Sequence, residues 1–212
     1  ERPDVTFKIF QFPADQIPRI DGEINDWSMV PESYVIGSDQ LRDNSARARQ
    51  LDTASIDVRV RIGWVAGMSR LYFLYEAFDD HWDFALPGLH NDTFEIVVDG
   101  DASGGPLIER FHPHRELLGE REAYFSFQGV HAQNYHIFTP AEGKDWAMYW
   151  GPQAWIKRMP YSNIKYKYDF RPGQPGRLVA EFWVTVFDHA SADGPEKSVM
   201  STFKENKLIG LS

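Results

Sequence analysis

The seven residues Ile56–Asp57–Val58–Arg59–Val60–Arg61–Ile62 alternate apolar and charged side chains without a break. A β-strand sends successive side chains to opposite faces, so this run buries one face and wets the other. The chain is therefore committed to sheets.

The same period continues. Leu71–Ala77 reads as a second strand, joined to the first by the hairpin loop Ala66–Gly67–Met68–Ser69. Thr93–Asp99 is a third and ends in a Gly/Asp turn. Ala123–Gln128, Asn134–Thr139, Trp146–Trp150 and Ile164–Phe170 are further candidates. Arg177–Phe187 is the longest and carries large residues on both faces, which predicts a central, doubly covered strand. Helix evidence is confined to the polar stretch Asp39–Leu51, with room for a turn or two, and to Glu109–Glu122, which Pro113 interrupts. Turns fall at Pro87–Gly88, Gly104–Gly105–Pro106, Pro172–Gly173 and Pro175–Gly176. There is no internal repeat and no low-complexity linker. The expected fold is all-β: a single antiparallel β-sandwich, jelly-roll-like or immunoglobulin-like, with little helix. It spans 1–212 as one domain with an aromatic-rich insert at about 104–161.

Composition limits function. A chain of 212 residues can bury roughly 70% of its unfolded surface, so it needs neither disulfide nor structural metal to fold. With no cysteine, zinc–thiolate sites, iron–sulfur ligation and thiol nucleophiles are excluded. A net charge of −9 argues against nucleic acid, whose binding rests on Lys and Arg neutralising phosphates. No apolar run approaches the ~20 residues of a membrane span. A chain that opens on Glu1 rather than Met is expected to be a mature or trimmed form, and the expected location is secreted, periplasmic or at the cell surface. There is no Gly-x-Ser-x-Gly elbow, no His-Glu-x-x-His and no phosphate loop. Glu76, Glu95 and Glu181 stand singly in strands, so an independent enzyme is not expected.

Three segments, in order, carry a family resemblance. The first is Ile20–Asp21–Gly22–Glu23–Ile24–Asn25–Asp26–Trp27, the second the hairpin Val58–Asp80, the third Asn91–Asp92–Thr93–Phe94–Glu95–Ile96–Val97–Val98–Asp99. Together they resemble family 9 carbohydrate-binding modules and their DOMON-like relatives. Leu178–Asp188 is similar to the later strand that carries Glu181, and Lys207–Ser212 to the beginning of the strand after it. The resemblance implies a two-sheet sandwich, a sugar ligand, a frequent structural calcium, and structural or hydrogen-bonding roles for Glu95 and Glu181. In the family two Trp rings sandwich the sugar. One precedes the Asp92-type residue, where this chain has Leu89, and the other lies beyond Ser212.

Aromatic residues make up 15% of the chain, seven of them Trp. Most are expected in the core, with two or three at a site, because flat apolar rings stack on the C–H face of a pyranose. The candidate ligand-binding residues are Trp82, in the loop before the third segment, and Trp146, Tyr149, Trp150 and Trp155. The site is expected where the loop Asp80–Leu89 meets Lys144–Arg158. Trp146, Met148 and Trp150 alternate along one strand and would equally suit a core face. The acidic turns Asp79–Asp80–His81–Trp82–Asp83 and Asp99–Gly100–Asp101 are candidate calcium ligands through Asp79, Asp80, Asp83, Asp99 and Asp101, because calcium takes six to eight hard oxygens. They are equally good turn residues. His112–Pro113–His114 reads as a surface turn rather than a metal pair.

The expected function is a non-catalytic carbohydrate-binding domain, an accessory part of a larger polysaccharide-processing protein. Its partner is an oligosaccharide or polysaccharide, and no organic cofactor is expected. The alternatives are a haem or electron-transfer domain, for which Met148 and His136 would be axial ligands, and a purely structural β-domain.

Overall fold

The computed structural model of the chain describes residues 5–41, 52–83, 92–102, 129–138, 147–149, 151 and 153–212. Their strands are β1 (Phe10–Phe12), β2 (Ile36–Gly37), β3 (Ile56–Val65), β4 (Arg70–Asp79), β5 (Thr93–Asp99), β6 (Gln133–Phe138), β7 (Ala147–Tyr149), β8 (Ser162–Tyr168), β9 (Gly176–Thr185), β10 (Phe187–His189), β11 (Val199–Met200) and β12 (Gly210–Leu211). The first sheet runs β1-β3-β4-β9-β8, with β2 pairing β3. The second runs β12-β5-β6-β7, and β10 and β11 form a ribbon of their own. The all-β sandwich is what alternation dictated. One pairing departs from the all-antiparallel expectation: β1 lies parallel to β3, Phe10 opposite Gly63.

The two sheets meet through the alternating apolar positions. Ile62 and Trp64 of β3, Leu71 and Phe73 of β4, and Phe182 and Val184 of β9 pack against Ile96 and Val98 of β5 and Tyr135 and Ile137 of β6. Phe73 and Phe182 stack at 4.7 Å between ring centroids. Within the stretch 104–161, expected as an insert, the described strands β6 and β7 join the second sheet. Ala123–Gln128, Glu109–Glu122 and His112–His114 lie outside the described residues. Of Asp39–Leu51, the described part forms only the 3-10 turn Ser38–Gln40. Among the described residues no helix is long and apolar enough to cross a membrane.

A third layer covers the outer face of the first sheet. It is built from the segment that follows β1, and Trp27 and Val30, with Phe12 of β1, pack on Val65, Tyr72, Leu74 and Trp183. Gly63 makes this possible. A Cβ there would collide with the Phe12 ring, so the absence of a side chain lets the ring lie on the strand. Trp27 is 1% exposed; burying 150–250 Å² of indole contributes roughly 4–6 kcal/mol at about 25 cal/mol/Å². Because both faces of the first sheet are covered, β9 is buried on both sides from Ala180 onward. The double covering read from Arg177–Phe187 is therefore present, although β9 lies one strand in from the edge β8.

Candidate functional site

A carboxylate holds the third layer in place. Glu181, on the outer face of β9, is fully buried. Its Oε2 accepts the backbone N–H groups of Asp21 and Gly22, both at 2.9 Å, and its Oε1 accepts the Trp27 indole N–H at 2.8 Å. Gly22 sits at φ +82°, a backbone region that L side chains rarely adopt, which turns its N–H to the acid. Burial pushes the Glu181 carboxyl above its ordinary value, and the three N–H donors oppose that rise. The Ile20–Trp27 motif and the Glu181 strand thus form one structural unit. Its enclosure makes it a clasp and not a ligand site. Glu95 hydrogen-bonds too: its Oε1 accepts Asn134 Nδ2 at 3.0 Å and lies 3.3 Å from His136 Nε2.

The open feature lies at the other face of the same strand, between the sheets. The register sets Tyr75 of β4, Ala180 of β9 and Tyr166 of β8 in one row. Ala180 has only a methyl group, so the row dips between two phenol rings. Above the dip a cleft of about 260 Å³, counting its open mouth, is lined by Tyr75, Trp82, Asp92, Thr93, Phe94, Ile137, Tyr166, Leu178 and Ala180. Tyr75 is held flat against Phe94, with centroids 4.4 Å apart and planes 12° apart. No hydrogen bond to the Tyr75 hydroxyl is present among the described residues. Burial pushes the Tyr75 and Tyr166 phenols well above their ordinary values, so both stay protonated. At the mouth, Asp92 Oδ2 accepts the Asp83 N–H, and the Asp92 N–H returns a bond to the Asp83 carbonyl at 2.9 Å. Burial raises the Asp92 carboxyl, and the Asp79 and Asp83 carboxylates add to the rise.

The expected site residues fall in different places. Trp82 does border the cleft, but as a wall. It is 3% exposed, stacks on Phe170 at 4.3 Å, and its Nε1 donates to the Gly176 carbonyl at 3.0 Å. Its backbone is locked as well: Trp82 N–H donates to the Gln174 carbonyl at 3.3 Å and Gly173 N–H to the Trp82 carbonyl at 2.8 Å. The picture of Trp82 as a loop-tip ring is corrected accordingly. Trp155 packs edge-on against Tyr161 and Phe187, at 4.9 and 5.3 Å. Phe187 lies seven residues along the chain from Ala180, about 20 Å at ~3.3 Å per residue, so Trp155 and Trp82 stand at opposite ends of the sandwich. Tyr149 lies on β7, its backbone opposite Tyr135. Trp146 and Trp150 lie outside the described residues, as does Leu89.

The acidic turns are divided in the same way. Asp79, Asp80 and Asp83 sit at the cleft end, and Asp99 and Asp101 at the far end of β5. Asp79 Oδ1 accepts the His81 N–H at 2.7 Å, the arrangement of a turn acceptor. Among the described residues, no group of three or more histidine or acidic side chains comes together to hold a metal.

Sequence reasoning missed Tyr75, Tyr166 and Ala180. Their one signal was a small residue at an inward position of the longest strand, between segments rich in Tyr.

No family model matches the chain, and no curated protein matches it. Among solved structures it is similar to a carbohydrate binding module family 9 (CBM9) from Caldicellulosiruptor kristjanssonii in complex with glucose, with a TM-score of 0.43 and 16% identity. That similarity covers 85% of this chain and 70% of the other.

Proposed function

We propose that this chain is a non-catalytic carbohydrate-binding domain of a secreted or surface polysaccharide-processing protein, and that its sugar enters the cleft above Ala180. The observation that carries this reading is the lining of that cleft. Tyr75, Phe94 and Tyr166 offer apolar ring surface, and Asp92, Thr93 and the Tyr75 hydroxyl offer polar atoms beside it. A pyranose presents the same combination of an apolar C–H face and a hydroxyl edge. Small-molecule sites are usually apolar concavities with a few converging polar groups. Ring stacking contributes on the order of 1–3 kcal/mol per ring where aromatic faces meet bases, and a sugar face gains through the same contact. The sequence motifs support the reading independently, because the clasp joins two of the segments that resemble the family.

Glycan-array screening followed by calorimetry on the purified chain tests the proposal. Saturable binding of a glycan without turnover supports it, and no binding across the array rejects it.

Structural calcium at Asp79, Asp80 and Asp83 is a separate proposal with its own test. A bound ion stabilises the folded state by mass action, so EDTA would lower the melting temperature. An unchanged melting temperature leaves these acids as turn acceptors. The haem alternative has a quick test as well. The backbone register sets Met148 opposite His136, and a colourless purified protein removes the reading.

A further inference from the structure

Resting on the carbohydrate reading, we infer that the cleft selects uncharged sugars, reading a ring hydroxyl through the Tyr75 phenol and rejecting anionic sugars at an acidic mouth. The Tyr75 ring is fixed before any ligand arrives, by Phe94 stacked on one face. Tyr75 lines the cleft and its hydroxyl has no protein partner among the described residues, so that group can donate to one sugar oxygen and accept from another. A hydroxyl positioned in this way reads a hydroxyl and has nothing with which to neutralise a carboxylate.

The mouth adds a field. Asp79 ends β4, Asp80 and Asp83 follow it, and Asp92 is bonded to Asp83 through its own carboxylate and its backbone N–H. Among the described residues, His81 and, in the adjoining turn, the exposed Arg171 stand against these four acids. Arg177 lies on the far face of the sheet, over the Phe78 ring at 5.6 Å. Lys165 and Lys167 also face away from the cleft, Lys167 bonded to Glu23 at 2.7 Å. A uronate or sulfated sugar entering here would meet the net negative charge of the described rim, and like-charge repulsion would weaken its binding.

The experiment is calorimetric titration of the wild-type chain and the Tyr75→Phe variant. The probes are neutral disaccharides of glucose, galactose, mannose and xylose, with glucuronic and galacturonic disaccharides as anionic counterparts. Tyr75→Phe keeps the ring and its stack, so its melting temperature checks that the fold is intact. The expected result has three parts. At least one neutral disaccharide binds wild type, its uronic counterpart binds at least tenfold more weakly, and Tyr75→Phe weakens the neutral ligand about three- to tenfold, the effect of one hydrogen bond. Neutral binding that is unchanged in Tyr75→Phe, or matched by the uronic counterpart, overturns this inference and leaves the carbohydrate reading standing. No binding of any probe by wild type overturns both.

Discussion

The Glu181 carboxylate and the Trp27 indole N–H, 154 positions apart in sequence, meet at 2.8 Å in the interior. Through this bond and two to the Asp21–Gly22 turn, one acid on β9 fixes the layer that covers the first sheet. The layer buries Phe12 and Trp27 and leaves the opposite face of β9 to form the floor of the cleft.

The clasp is open to a double-mutant cycle. Glu181→Gln replaces an accepting oxygen with an amide that confronts donors, and hydrogen bonds to charged groups contribute about 1.5–3 kcal/mol. Trp27→Phe removes one donor and keeps most of the ring. Each variant should lose roughly 2 kcal/mol in denaturant unfolding. The pair should show a coupling on the order of 1–2 kcal/mol, as residues in one network do. Additive losses would mean that the bond contributes nothing beyond packing.

Trp82→Ala should act on stability. The indole is 3% exposed and stacked on Phe170, and a Trp-to-Ala change in a core costs about 3–5 kcal/mol. Trp82→Phe should recover most of that loss, because it keeps the stack and gives up only the bond to the Gly176 carbonyl. A Trp82→Ala protein that melts like wild type would return this ring to the surface.

These residues show what alternation can and cannot convey. Thr93–Asp99 and the hairpin around Ala66–Ser69 coincide with the strands and turn read from sequence, because period and turn chemistry are local. Glu181 was legible as a hydrogen-bonding acid only through its resemblance to a family strand. Trp82 was not legible as buried, since its partners Phe170, Gln174 and Gly176 come from a turn about 90 residues later. The cleft was hidden for the same reason. Tyr75, Ala180 and Tyr166 become a row only when β4, β9 and β8 pair in one register.

Asp92 gives a pH signature. Burial raises its folded pKa above the ordinary value of 3.8. A carboxyl raised in the folded state contributes stability that is complete below its unfolded pKa and lost as pH rises through the folded value. Asp79 is raised in the same direction, also by burial. Asp92→Asn removes the titration and keeps an oxygen for the Asp83 N–H. Its melting temperature should therefore gain on wild type as pH climbs from about 3.8 through the raised value. Parallel curves for the two proteins over that range would show that Asp92 does not titrate differently on folding.

The most direct test of the account is a nitrogen- and methyl-labelled NMR titration with a neutral glycan taken from the array. Binding at the cleft predicts saturable shifts at Tyr75, Thr93, Phe94, Tyr166 and the Ala180 methyl, with Trp155 and Phe187 at the far end of the sandwich unmoved. Shifts centred on Trp155 and Phe187, or a spectrum unchanged at saturating glycan, would contradict it.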